Sequence, residues 1–162
     1  IPDPITYINE IRALARLETI QYSVEKVITG ETGGGTFATF FGDKILFVGH
    51  GTVIAGIDME KLAPENMRYE NGVLSVQLPP TEIFIATLDN EKSYVYDRQT
   101  GVLTKPDPNL ETLVRQKAEE EILKAALEDG ILNQAQINAE TYLFKFFAAL
   151  GFPNTIFLDN PN

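Results

Sequence analysis

One histidine, His50, stands between two glycines in Gly49-His50-Gly51. An ordinary histidine, with a pKa of about 6.5, suits proton transfer near neutral pH. Asp58 lies further along the chain and would orient the ring if the chain folded back between them as a hairpin. Tyr22 and Tyr96 are the aromatic side chains that would line a ligand pocket beside it. The same residues admit a plainer reading. Glycine inside a strand marks a bulge or a tight turn, and histidine tolerates the unusual backbone angles found there. A hydrolytic triad would also need a nucleophile, and the chain has no Gly-x-Ser-x-Gly elbow. Ser23, Ser75 and Ser93 fall in ordinary strand patterns, so no residue is assigned as catalytic.

Other constellations carry less chemistry. The segment from Gly30 to Thr36 is glycine-rich, but it holds Glu31, lacks the lysine of a phosphate-binding loop and leads into Phe37-Ala38-Thr39-Phe40-Phe41. It reads as a loop between strands. Glycoside chemistry would need two of Glu18, Glu25, Asp58, Glu82 and Asp97 about 5–10 Å apart across a cleft. There is no Asp-x-Asp-x-Asp-Gly calcium loop. Cysteine is absent, which excludes disulfides, thiolate metal sites and cysteine nucleophiles, and one histidine cannot make a histidine-rich zinc site. No metal or cofactor is expected. Asp97-Arg98 reads as the start of a turn closed by Gly101.

These residues must be held by a chain of 162 residues, a length suited to one domain spanning 1–162. The apolar fraction of 44% and the charged fraction of 22% are ordinary globular usage. No apolar run reaches the length of a bilayer span. The net charge of −10 opposes phosphate backbones, so nucleic acid is not expected as a partner. The chain opens on Ile1-Pro2-Asp3-Pro4 without a methionine. A membrane anchor upstream is the expected missing segment, which would leave this domain membrane-anchored and extracytoplasmic.

Asp3-Pro4 is a helix start, and the spacing of Tyr7, Ile8, Ile11 and Leu14 predicts a helix over 5–18. Alternation predicts a strand over 20–28. Ile45-Leu46-Phe47-Val48 and Thr52–Ile57 are strand-like. Asn71-Gly72 predicts a hairpin between 67–70 and 73–78. A second pair is expected between 83–88 and 93–96, around Asp89-Asn90-Glu91. Asp107-Pro108 then opens a helix that stops at Gly130. Another helix runs over 133–150, and Thr155–Leu158 forms a last strand. Strands followed by paired helices make an α+β fold. The expectation is an N-terminal helix, a mostly antiparallel twisted sheet, two C-terminal helices packed on one face, and a short final strand.

The order of these motifs resembles the bacterial family catalogued as domain of unknown function 4230. The resemblance runs through Leu17-Glu18-Thr19, Tyr22, Glu25-Lys26-Val27-Ile28 and His50-Gly51-Thr52-Val53-Ile54-Ala55-Gly56-Ile57-Asp58. It continues through Leu78-Pro79-Pro80-Thr81-Glu82-Ile83, Val95-Tyr96-Asp97-Arg98, Ala125-Ala126-Leu127, Asn138-Ala139-Glu140 and Leu150-Gly151-Phe152. It implies an N-terminal membrane helix followed by this domain, and it implies no activity.

The last helix is the least ordinary element. Ala139, Leu143, Phe146, Phe147 and Leu150 make one apolar stripe, and Ile137, Phe144 and Ala148 make another on the far side. A helix on a domain surface needs one stripe, so two imply two partners. Either the helix is sandwiched inside the fold, or Phe144, Phe147, Leu143 and Leu150 form a surface that binds a protein partner or a second copy. The first functional reading is therefore a non-catalytic, membrane-tethered interaction or scaffold module. The alternative is a small-ligand-binding domain or hydrolase-like enzyme using the His50/Asp58 region.

Overall fold

The computed structural model describes residues 3–33 and 42–160. After a 3-10 turn at Pro4–Tyr7 come α1 (Ile8–Arg12), β1 (Arg16–Thr32) and β2 (Asp43–Asp58). Two more 3-10 turns, Met59–Lys61 and Pro64–Asn66, lead to β3 (Met67–Glu70) and β4 (Val73–Val76). Then follow β5 (Thr81–Leu88), β6 (Tyr94–Thr100), α2 (Pro108–Glu128), α3 (Ile131–Ala149) and β7 (Thr155–Phe157). This is the α+β architecture expected. It contains two sheets, though, where one was expected. The first has β2 at its centre, with β1 on one side and both β5 and β6 pairing on the other; the second has the order β3-β4-β7.

Two compact units can be distinguished. One gathers Ile1–Gln21, Ile54–Phe84 and Gly130–Asn162; the other gathers Tyr22–Val53 and Ile85–Asp129.

In the first unit, Asp3 caps the opening turn by accepting from the Ile5 amide at 3.0 Å. The helix expected over 5–18 stops at Arg12 instead. Ala15 takes a left-handed φ of 49°, and its carbonyl accepts from Met59 N at 2.7 Å, turning the chain into β1. What overrides the helical periodicity is strand pairing. The Leu17 carbonyl occupies the space a Cβ on Gly56 would need, so the two strands close together only because residue 56 is glycine. The hairpin at Asn71-Gly72 forms as expected, both residues having positive φ (52° and 77°), with Glu70 opposite Val73. β7 adds to β4 in parallel. Ile11, Ile57, Met59, Leu62, Leu74, Val76, Leu143, Phe147 and Phe152 pack into one core. Thr19 and Asn138 tie β1 to α3 through hydrogen bonds of 2.8 and 2.9 Å to backbone carbonyls.

In the second unit the glycines explain the packing. Leu110, Val114, Ala118 and Ile122 are the buried i, i+4 stripe of α2. A Cβ on Gly30 would collide with Val114, one on Gly49 would lie 3.0 Å from the Ala118 methyl, and one on Gly51 would lie 2.7 Å from Ile122 Cδ1. The helix thus lies almost on the backbone of the strands. Gly49 and Gly51 sit within the continuous strand β2, not at the bulge or turn the sequence suggests. Gly30, Glu31 and Thr32 likewise belong to β1 and not to a loop; Gly34–Thr36 lie outside the described residues.

The expected pairing of 83–88 with 93–96 does not occur. β5 and β6 both pair with β2, one after the other. β6 runs antiparallel to β2 with a bulge at Tyr96, since Leu46 faces Asp97 while Phe47 faces Val95. Asp97 and Arg98 lie inside β6, so they do not start a turn.

Candidate functional site

His50 projects from β2 with its side chain about one-third exposed, and its Nδ1 lies 3.4 Å from Glu25 Oε2 on β1. The carboxylate beside the ring is therefore Glu25 and not Asp58. Asp58 is at the far end of the same strand, where its carboxylate accepts from Glu60 N at 3.1 Å and caps the following turn. A strand is extended, so residues eight positions apart along it do not meet. Residues on neighbouring strands meet; residues distant on one strand do not.

The junction between β5 and β6 is built onto His50 from the other side. Asp89 N donates to the His50 carbonyl at 2.7 Å. The His50 amide donates to Ser93 Oγ at 3.0 Å, and Ser93 Oγ donates back to the His50 carbonyl at 3.2 Å. Asp89 folds the intervening turn by accepting from the amides of Glu91 and Lys92 at 3.0 and 3.2 Å. Together these elements frame a polar cleft of about 250 Å³, lined by Ser23, Glu25, His50, Thr52, Asp89 and Lys92 among others. Neither Tyr22 nor Tyr96 lines it; Tyr96 is 68% exposed on its bulge.

An imidazole held by a carboxylate is one half of an acid–base arrangement. The other half, a nucleophile on the ring, is not supplied by Ser93, whose hydroxyl is committed to the His50 backbone. Two further carboxylates named from sequence have partners elsewhere. Glu82 pairs with Lys61 at 2.8 Å, and Asp97 accepts from Gln99 at 3.4 Å. Among the described residues no group of three His, Asp or Glu side chains is placed to hold a metal ion.

The four residues proposed for an interaction surface divide sharply. Leu143 and Phe147 are fully buried in the first unit's core, and Leu150 packs against it half-buried. They are corrected to core residues: their stripe faces Ile57, Leu74 and Phe152. Phe144 is 44% exposed, and Ile137 beside it 47%. The outward stripe of α3 is thus Ile137, Phe144 and Ala148, as the helical spacing required.

Sequence reasoning missed one buried polar centre, at Asp43. Its enclosed carboxylate accepts from Arg98 through Nε (3.2 Å) and Nη2 (2.6 Å), from Thr100 Oγ1 (3.0 Å) and from Asp107 N (2.7 Å). Arg98 also donates to the Asp107 carbonyl at 2.8 Å. The hydrogen bonds from Arg98, with those from Asp107 and Thr100, outweigh the cost of burial and hold the Asp43 pKa down to about 2. This centre joins the starts of β2 and α2 to β6. Its donors lie 55 to 64 positions from Asp43, so no local spacing announces the centre.

The chain matches the model of the family described as Protein of unknown function (DUF4230) over residues 9–156. It belongs to that family. No curated protein and no solved structure matches it.

Proposed function

We infer that this chain is a non-catalytic interaction module, held at a membrane by a segment beyond this sequence and placed outside the cytoplasm, that uses the outer stripe of α3 to contact protein. The observation that carries the contact surface is the double burial demand of one helix. The inner stripe of α3 is consumed by the core, while Ile137 and Phe144 remain about half exposed. α2 also exposes Leu113 and Leu127, but Lys117–Glu121 and Lys124–Glu128 pairs lie between and beside them on that helix. The tether and its location rest on the family resemblance alone, and cell fractionation of the full-length protein checks them. Recovery in the soluble cytoplasmic fraction would refute both.

A second reading, a small-ligand binder, draws on the cleft around His50 and Glu25. Native mass spectrometry of the purified domain separates the two. A discrete assembly without added mass supports the interaction module. A monomer carrying a reproducible extra mass, lost in Glu25→Gln or His50→Ala, supports the ligand reading instead.

A further inference from the structure

Ile137, Thr141, Phe144 and Ala148 are spaced by four, three and four residues, which is the a/d alternation of a coiled-coil seam. All four are exposed along α3. The one polar member is already satisfied: the Thr141 hydroxyl donates to the Ile137 carbonyl at 2.9 Å, so covering it strands no donor. The seam is flanked by Glu140 at the g position and Lys145 at the e position.

We propose that this seam binds a second copy of the same chain, with the two α3 helices side by side and parallel. This rests on the interaction-module reading above and names its partner. The argument for a second copy is charge complementarity. In a parallel pair, a g residue faces the e residue five positions on in the partner helix. Glu140 of each copy then meets Lys145 of the other, giving two equivalent opposite-charge contacts. An antiparallel pair sets g against g and e against e, so Glu140 and Lys145 of the two copies do not meet and this complementarity is lost. The net charge of −10 repels an anionic lipid surface and also a second copy, so the pair depends on the local Glu140–Lys145 contacts and the apolar seam. Two heptads bury less than the roughly 1,200 Å² of a standard stable interface, so the dimer is weak and reversible.

The absence of cysteine makes the test clean. Single substitutions Ile137→Cys and Phe144→Cys are made on exposed positions, with Glu119→Cys on the outward face of α2 as a control. In a parallel seam identical positions face each other within disulfide range, about 6 Å between Cα atoms. Each seam variant should form a disulfide-linked homodimer in a glutathione buffer at least tenfold faster than the control. Adding Glu140→Lys or Lys145→Glu alone should slow this by about tenfold, and adding both should restore it. Circular dichroism confirms that each variant is folded. Crosslinking of the Ile137→Cys chain only when it is mixed with an Ala148→Cys chain would mean an antiparallel pair and overturn the proposal. So would rates equal to the control. If native mass spectrometry of the unaltered chain still shows an assembly, only the seam is wrong. If it shows a monomer with a bound small molecule, the interaction-module reading falls with it.

Discussion

At the scale of single residues, the clearest effects concern stability. The strongest polar centre, Asp43 with Arg98, is structural: it is buried and joins three elements. Its carboxylate is held at about 2, below the ordinary 3.8, because Arg98 hydrogen-bonds the charged form. A depressed carboxylate pKa stabilises the fold above the unfolded value, and that contribution is lost as pH falls from about 4 through about 2. Denaturant titrations should therefore show a stability loss across that window which Asp43→Asn largely removes. At pH 7 the same substitution should cost about 3 kcal/mol, because Arg98 is left without its charge partner. Gly56 makes a second residue-scale prediction. A Cβ there meets the Leu17 carbonyl, and backbone cannot rotate away, so Gly56→Ala should cost about 3 kcal/mol in thermal or chemical unfolding. Gly72→Ala at the hairpin tip is the useful contrast. Nothing lies near its added methyl, so only the positive φ is penalised, and about 1 kcal/mol is expected. None of these three costs is visible in a local sequence window, except the turn glycine. Asn71-Gly72 announces its own geometry, whereas Asp43 and Gly56 depend on neighbours far along the chain.

At the scale of elements, α3 is where the chain's purpose is best tested. Phe147 is fully enclosed and Phe144 is 44% exposed, three residues apart on one helix. Phe147→Ser should cost about 4 kcal/mol and broaden or abolish the unfolding transition. Phe144→Ser should change stability by no more than about 0.5 kcal/mol while weakening any self-association seen by sedimentation. Equal destabilisation by both would assign Phe144 to packing and remove the basis for an interaction surface. Helical periodicity made the two stripes legible in advance, because 3.6 residues per turn assigns faces without any tertiary knowledge. It could not say which stripe the fold would use. The same limit applies to α1. Its apolar spacing suggests a helix to residue 18, yet the chain turns at Ala15 because residues 16–21 gain more by pairing against β2 than by extending an isolated helix.

At the scale of the whole molecule, the net charge of −10 has a direct consequence. The domain should not shift duplex DNA in a gel at micromolar concentration even in low salt, where binding is strongest; a salt-sensitive shift would overturn that exclusion. Composition alone carries this, since long-range electrostatics depends on total charge before it depends on shape. The sequence by itself also determined the α+β class, the hairpin at Asn71-Gly72, the helix opened by Asp107-Pro108 and the helix following Gly130. Each is set by turn chemistry, capping or periodicity within about ten residues. Only the tertiary structure decided that His50 meets Glu25 and not Asp58, that β5 and β6 both pair with β2 in place of each other, that Gly30, Gly49 and Gly51 make room for α2, and that Asp43 is a buried hub. Strand order and register bring together residues with no fixed sequence spacing, so the contacts they create are written in the fold and not in any local pattern.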